Sequence, residues 1–212
     1  CIRDSTNAIE LIVTANNEVE GVSCHTPEGR KNYLAKGGVI LTTGGYGANT
    51  AMTGAWIGPW ANNLVMRASP WSVGENITMG MQVRAKLVYL DQFYAGPITP
   101  TGHANPSPLM HAGYGIQVNT AGKRFLPEDW LQVPKAKGIA NLTPDNRSFM
   151  LIGSDADDND QILTKTLKRF ANLGYKVPSG KTIADVAKAA GVPAKALEET
   201  VKEFNAAVKA LS

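Results

Sequence analysis

The sequence predicts an α+β fold in which small antiparallel sheets are followed by amphipathic helices. The first 35 residues alternate short apolar segments with polar turns, which is typical of a β-meander. Residues 161–173 place apolar side chains at helical spacing. The tail from Thr182 carries the residue types that begin and end helices.

Length and composition indicate an ordinary globular chain. Its 212 residues allow one large domain or two small ones. The hydrophobic fraction is 43%, and no apolar tract is long enough to cross a membrane. The net charge of +3 is spread without any Lys/Arg cluster, so neither nucleic acid nor an acidic membrane surface is indicated as a partner.

Two cysteines, Cys1 and Cys24, match neither a disulfide framework nor a metal site with paired ligands, so no metal is predicted. The sequence has no initiator Met and no signal-peptide pattern, which favours a fragment of a longer protein. The compartment is not indicated.

The N-terminal third predicts a meander that leads into one buried strand. Residues 7–13 and 19–25 flank a polar turn and form a hairpin, and residues 32–35 form a third strand. Residues 39–41 are apolar and bounded by glycines, which suits a strand buried on both faces. A turn rich in Thr and Gly follows, where another molecule can lie against the backbone; a plain tight turn is the alternative.

The next segment predicts a loop with a short helix over residues 50–72 and a longer helix beginning at Ser72. Ser72 and Glu75 have the spacing of a capping box, which explains Glu75 without any ligand. Residues 87–93 then read as a strand. Residues 94–112 form a long Pro-rich loop containing His103 and His111, and a loop of this length favours a binding role.

The C-terminal half predicts a hairpin over residues 114–126, a loop to about Ser148 and a short strand over residues 149–153. The acidic turn at residues 155–160 lacks the glycine and glutamate of a calcium loop, so it is interpreted as helix capping. A helix over residues 161–173 and a helix pair complete the chain. In that pair, Thr182 and Pro193 mark the helix starts and Gly191 ends the first helix.

Three of these segments resemble the FAD-dependent fumarate reductase and succinate dehydrogenase flavoprotein family, which also includes urocanate reductases and 3-ketosteroid dehydrogenases. They are Val-Ile-Leu-Thr-Thr-Gly-Gly-Tyr at 39–46, Val-Asn-x-x-Gly-Lys-Arg-Phe at 118–125 and the helix pair. The resemblance implies FAD as the cofactor. It also implies an incomplete FAD-binding lobe of α/β type over residues 1–95 and an α+β substrate-capping domain over residues 96–212.

The resemblance implies candidate site residues as well. Its cofactor-binding candidates are Ala8, near the adenine, and Thr43, Gly44, Gly45 and Glu75, near the flavin. Its catalytic candidate is His111, in the Pro-rich loop, which would touch substrate or relay a proton. Family members read Gly-Asp-Gly-Ile where this chain reads Gly-Glu-Asn-Ile at residues 74–77, so the second glycine is lost.

One departure bears on the substrate. In the fumarate reductases an arginine donates a proton to the substrate, and the matching residue here is Gln132, whose neutral amide cannot act as an acid. The relay residues of the family fall on Pro108 and His111. Fumarate is therefore not the expected substrate. Arg124 could bind an anion or form a structural salt bridge.

The resemblance implies an oxidoreductase that reduces or dehydrogenates a carbon–carbon bond next to a carbonyl, with a small-molecule substrate and an electron-donor protein. The chain matches only the middle of such enzymes and lacks their N-terminal G-x-G-x-x-G turn. It is therefore expected to bind FAD weakly or not at all by itself. The alternative is a non-catalytic capping or interaction module without flavin.

Overall fold

A computed structural model describes residues 4–98, 115–156 and 161–211. These residues form helices and two small antiparallel sheets, as an α+β chain should. The chain divides into two compact units, unit 1 at Cys1–Gln92 and unit 2 at Phe93–Ser212. The assignment of a flavin lobe to residues 1–95 and a substrate cap to residues 96–212 stays a prediction.

Unit 1 contains the predicted meander. Strands β1 (Asn7–Val13), β2 (Val19–Thr26) and β3 (Gly29–Leu34) pair antiparallel in the order β1-β2-β3. The β1–β2 turn places Asn17 at a positive φ of 63°, which asparagine tolerates better than most residues. Its side-chain amide donates to the Val83 carbonyl at 3.2 Å and so ties the turn to the helix that ends there.

Two helices accompany this sheet. Helix α1 (Thr50–Trp56) begins after Asn49, whose side-chain oxygen accepts a hydrogen bond from the Met52 amide at 3.1 Å. A short 3-10 helix follows at Ala61–Asn63. Helix α2 (Glu75–Gln82) packs against β1 and buries Met79. The predicted loop with a short helix is therefore confirmed.

The two strands predicted after the meander are wrong. Residues 39–41 and 87–93 are irregular, and Ile40 is 88% exposed. A strand is stable only when a neighbour pairs with its backbone N–H and C=O groups. Within the ranges that the structure describes, no strand lies beside either segment.

The predicted capping box at Ser72 and Glu75 is also wrong. Helix α2 begins after Gly74, which has a φ of 87° and no side chain to cap the helix, and the first-turn amide of Asn76 donates to Thr43 Oγ1. A Cβ on Gly74 would lie 2.6 Å from the Met52 sulfur and 3.1 Å from the Tyr46 Cβ. Only glycine satisfies both the conformation and the space at this helix start.

Unit 2 contains the second sheet, in which β4 (Ile116–Asn119) pairs antiparallel with β5 (Ser148–Leu151). The predicted hairpin is reduced to a tight turn. Its return segment forms a single bridge between Val118 and Arg124, and the Asn119 amide donates to the Lys123 carbonyl at 3.0 Å. The main partner of β4 is therefore remote in sequence, because β5 covers its whole length.

Helix α3 (Gln132–Leu142) occupies a segment that the sequence predicts as loop. Pro134 is the third residue of the helix, where a missing N–H costs nothing. Gly138 is buried, and a Cβ there would lie 3.1 Å from the Leu126 side chain. Proline and glycine normally indicate a loop, and here they belong to a helix that packs closely against Leu126.

The three predicted C-terminal helices are confirmed as α4 (Ile162–Asn172), α5 (Ile183–Ala190) and α6 (Ala194–Leu211). Thr182 and Asp185 form a capping box at the start of α5, and Gly191 ends that helix at a φ of 71°. The core of unit 2, called here the helix-pair core, consists of Ile116, Val118, Ala187, Val192 and Leu197. None of the helices in the described ranges is long and apolar enough to cross a membrane.

Candidate functional site

Three of the four residues predicted to lie near the flavin, Thr43, Gly44 and Gly45, belong to one turn at residues 42–49, called here the glycine turn, and the fourth, Glu75, begins α2. Four hydrogen bonds join this turn to the segment that begins α2. They are Asn76 N–H to Thr43 Oγ1 at 3.1 Å, Gly74 N–H to the Gly45 carbonyl at 3.1 Å, Ala48 N–H to the Ser72 carbonyl at 2.9 Å, and Asn49 Nδ2 to the Val73 carbonyl at 3.0 Å. Thr43, Gly44, Gly45 and Glu75 are thereby brought together, although they are about 30 residues apart in sequence.

The outer face of the glycine turn is open. Thr43, Gly44, Gly45 and Gly47 are exposed, and Gly44 has a φ of 91°. A Cβ added to Gly45 or Gly47 would meet no atom within 4 Å. The backbone of the turn is therefore accessible to a flat ligand, and no side chain of the described residues fills the space beside these two glycines.

Two buried oxygens at the start of α2 have no hydrogen-bond partner among the described residues. They are Glu75 Oε2 and Asn76 Oδ1, and they belong to adjacent residues. A buried polar atom without a partner costs about 1–3 kcal/mol, so such atoms point to a missing donor. In unit 2, the Gln117 Oε1 atom likewise has no hydrogen-bond partner among the described residues.

Glu75 therefore does not have the capping role that the sequence predicts for it. Its carboxylate lies in the first turn of α2 and makes no capping bond. A negative charge at a helix start is stabilised by the helix dipole. The structure therefore places the Glu75 side chain at the start of α2, beside residues that bond to the glycine turn.

The other two predicted site residues are not in this cluster. Ala8 is half-buried in β1 opposite Cys24, beside an irregularity in the β1–β2 register. It lies on the strand that packs against α2 rather than in the glycine turn. His111 lies outside the described residues, as do His103 and Pro108.

Tyr46 is a part of the site that sequence reasoning missed. Its hydroxyl donates a hydrogen bond to the Leu90 carbonyl. Its ring meets the Trp56 ring edge to face, with the centroids 5.1 Å apart and the planes at 89°. Burial, and then the charge of Asp91, raise the pKa of the Tyr46 hydroxyl, so it remains a donor at neutral pH.

In unit 2, Arg124 forms a structural ion pair. Its Nε and Nη2 donate to the two carboxylate oxygens of Glu128 at 2.7 and 2.6 Å, and its guanidinium lies 5.0 Å from the centre of the Phe204 ring. The backbone N–H of Gln117 also donates to Glu128 Oε1 at 3.2 Å. Burial alone would raise the pKa of Glu128, but the hydrogen bonds from Arg124 and Gln117 outweigh it, and the pKa is lowered.

Gln132 is the first residue of α3, half-buried, with its side-chain amide against Gly96. One turn later, Lys135 is completely buried and its Nζ donates to the Glu128 carbonyl at 2.8 Å. Burial lowers the pKa of Lys135, and the charges of Glu128 and Asp129 partly offset this effect. Glu128 therefore ties the return segment of the hairpin to α3 through both its side chain and its backbone.

A shallow groove of about 310 Å³ lies beside this ion pair. Its lining residues are Lys123, Arg124, Thr200, Glu203, Phe204 and Ala207. Lys123 pairs with Glu199 at 3.5 Å and Arg124 pairs with Glu128, so both cations of the groove are already neutralised. The groove therefore does not have the charge of an anion site. Among the described residues, no group of three or more His, Cys, Asp or Glu side chains is placed to hold a metal ion.

Known proteins resemble the chain over nearly all of its length. The family model described as FAD binding domain matches residues 2–212. The NADH:acrylate oxidoreductase of Vibrio harveyi is 26% identical, over 97% of this chain and 21% of that protein. The cytochrome fumarate reductase of Shewanella frigidimarina is 24% identical, over 98% of this chain and 35% of that protein.

A solved structure shows the same fold. The crystal structure of 3-ketosteroid-Δ4-(5α)-dehydrogenase from Rhodococcus jostii RHA1 in complex with 4-androstene-3,17-dione aligns with a TM-score of 0.71 at 22% identity. The alignment covers 98% of this chain and 40% of that one. The chain thus spans between 21% and 35% of the length of the two curated relatives described above.

Proposed function

Because the chain belongs to the FAD binding domain family, we propose that it is part of an FAD-dependent oxidoreductase that reduces or dehydrogenates a carbon–carbon bond next to a carbonyl. The predicted resemblance to flavoproteins and the predicted cofactor are both confirmed by this membership. Acrylate, fumarate and 4-androstene-3,17-dione, the compounds named for three similar proteins, all carry a double bond conjugated to a carbonyl group. This shared chemistry supports the proposed reaction.

The observation that carries the proposal is the pairing of an open glycine turn with two orphaned acceptors. FAD offers ribityl and ribose hydroxyls and ring N–H groups as donors, and Glu75 Oε2 and Asn76 Oδ1 lack donors within residues 4–98, 115–156 and 161–211. Thr43, Gly44 and Gly45 would hold the flat part of the cofactor against exposed backbone. The residues present therefore fit FAD. When bound, FAD supplies the hydride exchange with carbon.

Unit 2 is proposed as the substrate-capping domain. Its α3 begins at Gln132, which carries no proton to transfer and stands where the family resemblance places the proton-donating arginine of fumarate reductases. Arg124 is occupied by Glu128 and is not available to bind a dicarboxylate. We therefore propose a substrate other than fumarate, with the proton supplied from elsewhere. His111 remains a candidate for that role.

The flavin lobe in this chain is proposed to be incomplete. Ile40 is 88% exposed in a segment that pairs with no strand in the described ranges, and Leu34 is 75% exposed at the end of β3, an edge strand of its sheet. The relatives are three to five times longer than the matched segment. Further chain would cover these residues and complete the cofactor site, so the 212 residues alone should bind FAD weakly or not at all.

The first test is made on the native protein that contains this chain. Its intact mass and its flavin absorbance in the blue are measured, and substrate-dependent oxidation of reduced viologen is followed with acrylate, fumarate and a 4-ene-3-ketosteroid. A longer chain with one flavin per protein and turnover of a substrate other than fumarate is expected. Absence of flavin would overturn the proposal and favour the non-catalytic capping or interaction module.

The second test changes one orphaned acceptor. Glu75→Gln keeps the side-chain shape and removes the carboxylate charge, and it should weaken FAD binding by about tenfold, because hydrogen bonds to charged groups contribute about 1.5–3 kcal/mol. Glu20→Gln is the matched control, since Glu20 is exposed on β2. Affinities are measured by flavin fluorescence titration of the native protein that contains this chain, after its flavin has been removed. Equal affinities for both variants would remove Glu75 from the site.

A further inference from the structure

We propose that Tyr46 is a positioning residue: its hydroxyl fixes the glycine turn to residues 88–92, so that FAD binding at the turn also orders this segment. This inference rests on the proposed function, because it takes FAD as the ligand of the turn. It adds a residue and a coupling to that site. The Tyr46 ring faces Trp56 and its hydroxyl reaches Leu90, so it joins three parts of unit 1.

The glycine turn needs external restraint. Glycine loses more conformational freedom on folding than any other residue, and three of residues 44–47 are glycine. The segment that begins α2 restrains the turn through four hydrogen bonds. Tyr46, which directly follows Gly45, adds a restraint to a different segment, because its hydroxyl donates to the Leu90 carbonyl. Its hydroxyl therefore restrains the backbone that FAD would touch.

The segment that Tyr46 contacts contains a residue in an unfavourable backbone conformation. Tyr89 has a φ of 55° and is 79% exposed, and Val88 is 54% exposed. A non-glycine residue in this conformation costs on the order of 1–3 kcal/mol and persists only where surrounding contacts enforce it. The Gln92 amide closes the turn on the Tyr89 carbonyl at 2.9 Å. The hydrogen bond from Tyr46 is made to Leu90, which lies within this turn directly after Tyr89.

The coupling follows from these two restraints. A ligand that immobilises the glycine turn also immobilises Tyr46, and the hydroxyl then holds Leu90 for a larger fraction of the time. Linkage is reciprocal, so ordering of residues 88–92 must favour FAD binding by the same factor. Unit 1 ends at Gln92, so the coupled segment is the one by which the chain leaves the proposed flavin lobe.

The test uses Tyr46→Phe in the native protein that contains this chain. This variant keeps the ring that contacts Trp56 and removes only the hydroxyl. Amide hydrogen exchange of residues 86–92 is measured with and without added FAD. The FAD affinity is measured separately by titration. In the unchanged protein, FAD should slow this exchange. In Tyr46→Phe the slowing should disappear and FAD affinity should fall about fivefold, the loss expected for one neutral hydrogen bond.

Two further variants separate the hydroxyl from general packing. Tyr94→Phe makes the same change at a side chain that is 85% exposed in unit 2, and it should leave both quantities unchanged. Trp56→Phe loosens the ring contact but keeps the Tyr46 hydroxyl, and it should retain the FAD-dependent slowing. If Trp56→Phe lost the slowing as Tyr46→Phe does, packing would explain the effect and the proposed role of the hydroxyl would be overturned.

The outcomes also separate this inference from the proposed function. If the protein binds FAD and Tyr46→Phe shows unchanged affinity and unchanged slowing, the inference is wrong while the proposed function stands. If no protein binds FAD, the proposed function fails. The flavin-free exchange rates then still test the contact itself, since Tyr46→Phe must speed exchange at residues 88–92, and equal rates would refute it.

Discussion

The glycine turn of unit 1 is open to solvent, whereas the helix-pair core of unit 2 is buried. The turn exposes its backbone, and the start of α2 beside it contains two buried oxygens that have no partner in the part of the chain that the structure describes. The helix-pair core buries five apolar side chains, each less than a tenth exposed. The core is thus closed by apolar contacts within the chain, whereas Glu75 Oε2 and Asn76 Oδ1 beside the turn lack donors among the described residues. This difference locates the proposed cofactor site more clearly than any single residue does.

The helix-pair core joins β4 to α5 and α6, which are about 70 residues away in sequence, and both local and long-range contacts fix it. The α5 capping box and Gly191 set the ends of α5 locally. The hairpin turn then docks on α6, where Thr200 Oγ1 donates to the Gly122 carbonyl at 2.7 Å. Gly122 has a φ of 76°, and a Cβ there would lie 3.1 Å from the Leu197 amide nitrogen. Local signals and one close approach thus specify the packing.

The largest expected effect tests the completeness of this core. Leu197→Ala removes a side chain that is 2% exposed and should lower the free energy of unfolding of unit 2 by about 3 kcal/mol, from lost burial and the cavity left behind. Leu211→Ala is the control, since Leu211 is 91% exposed on the same helix. Urea unfolding followed by hydrogen exchange of α5 and α6 gives both values.

A small loss for Leu197→Ala, similar to that of the control, would break the comparison. It would mean that the core is loosely packed and that unit 2, like the glycine turn, waits for a partner. A loss of the expected size with unchanged exchange in β1–β3 would show that the packing defect stays within unit 2.

The next effect concerns the ion pair between Arg124, in the return segment of the hairpin, and Glu128, which precedes α3. Glu128→Gln removes the charge that accepts from Arg124 and the Gln117 amide, and it should cost unit 2 about 1.5 kcal/mol at neutral pH. Glu199→Gln is the control, because the Lys123–Glu199 pair is longer and about half exposed, which makes it nearly neutral in energy.

The pH dependence gives the same prediction a second readout. The folded-state pKa of Glu128 lies below its ordinary value of 4.5, so its stabilisation is complete above that value and is lost as the pH falls through the lowered pKa. The stability difference between the unchanged protein and Glu128→Gln should therefore shrink in acid. A difference that stays constant with pH would show that the loss comes from packing and not from charge.

Sequence reasoning succeeded where the determinants are local. The meander, the capped helix pair and helix α4 follow from turn residues, caps and periodicity. It failed for residues 39–41 and 87–93, because apolar runs become strands only beside a partner strand. It missed α3 because Pro134 and Gly138 imitate a loop while serving a first turn and a close helix contact.

The candidate site also contains residues that sequence motifs predict and contacts that only the structure shows. Thr43, Gly44, Gly45 and Glu75 were predicted from motifs that resemble the family, and the structure brings them together, while their role toward FAD stays a prediction. The bond from Tyr46 to Leu90 spans 44 residues, and no local pattern announces it. The bidentate partner of Arg124 is only four residues away, yet the sequence left an anion-binding role open. A pattern gives the spacing of charges but does not decide which of them face each other.

The smallest expected effect is also the most direct test of the open state of unit 1. Ile40→Thr changes a side chain that is 88% exposed in this chain, so the free energy of unfolding of the isolated 212 residues should change by less than about 0.5 kcal/mol. In the longer native protein, where we propose that further chain covers Ile40, the same substitution buries a hydroxyl and should cost about 1–3 kcal/mol. Urea unfolding of both proteins measures the two values. Equal small losses would mean that Ile40 stays exposed in the complete protein, and the glycine turn that follows it would then be an exposed loop rather than the edge of a cofactor site.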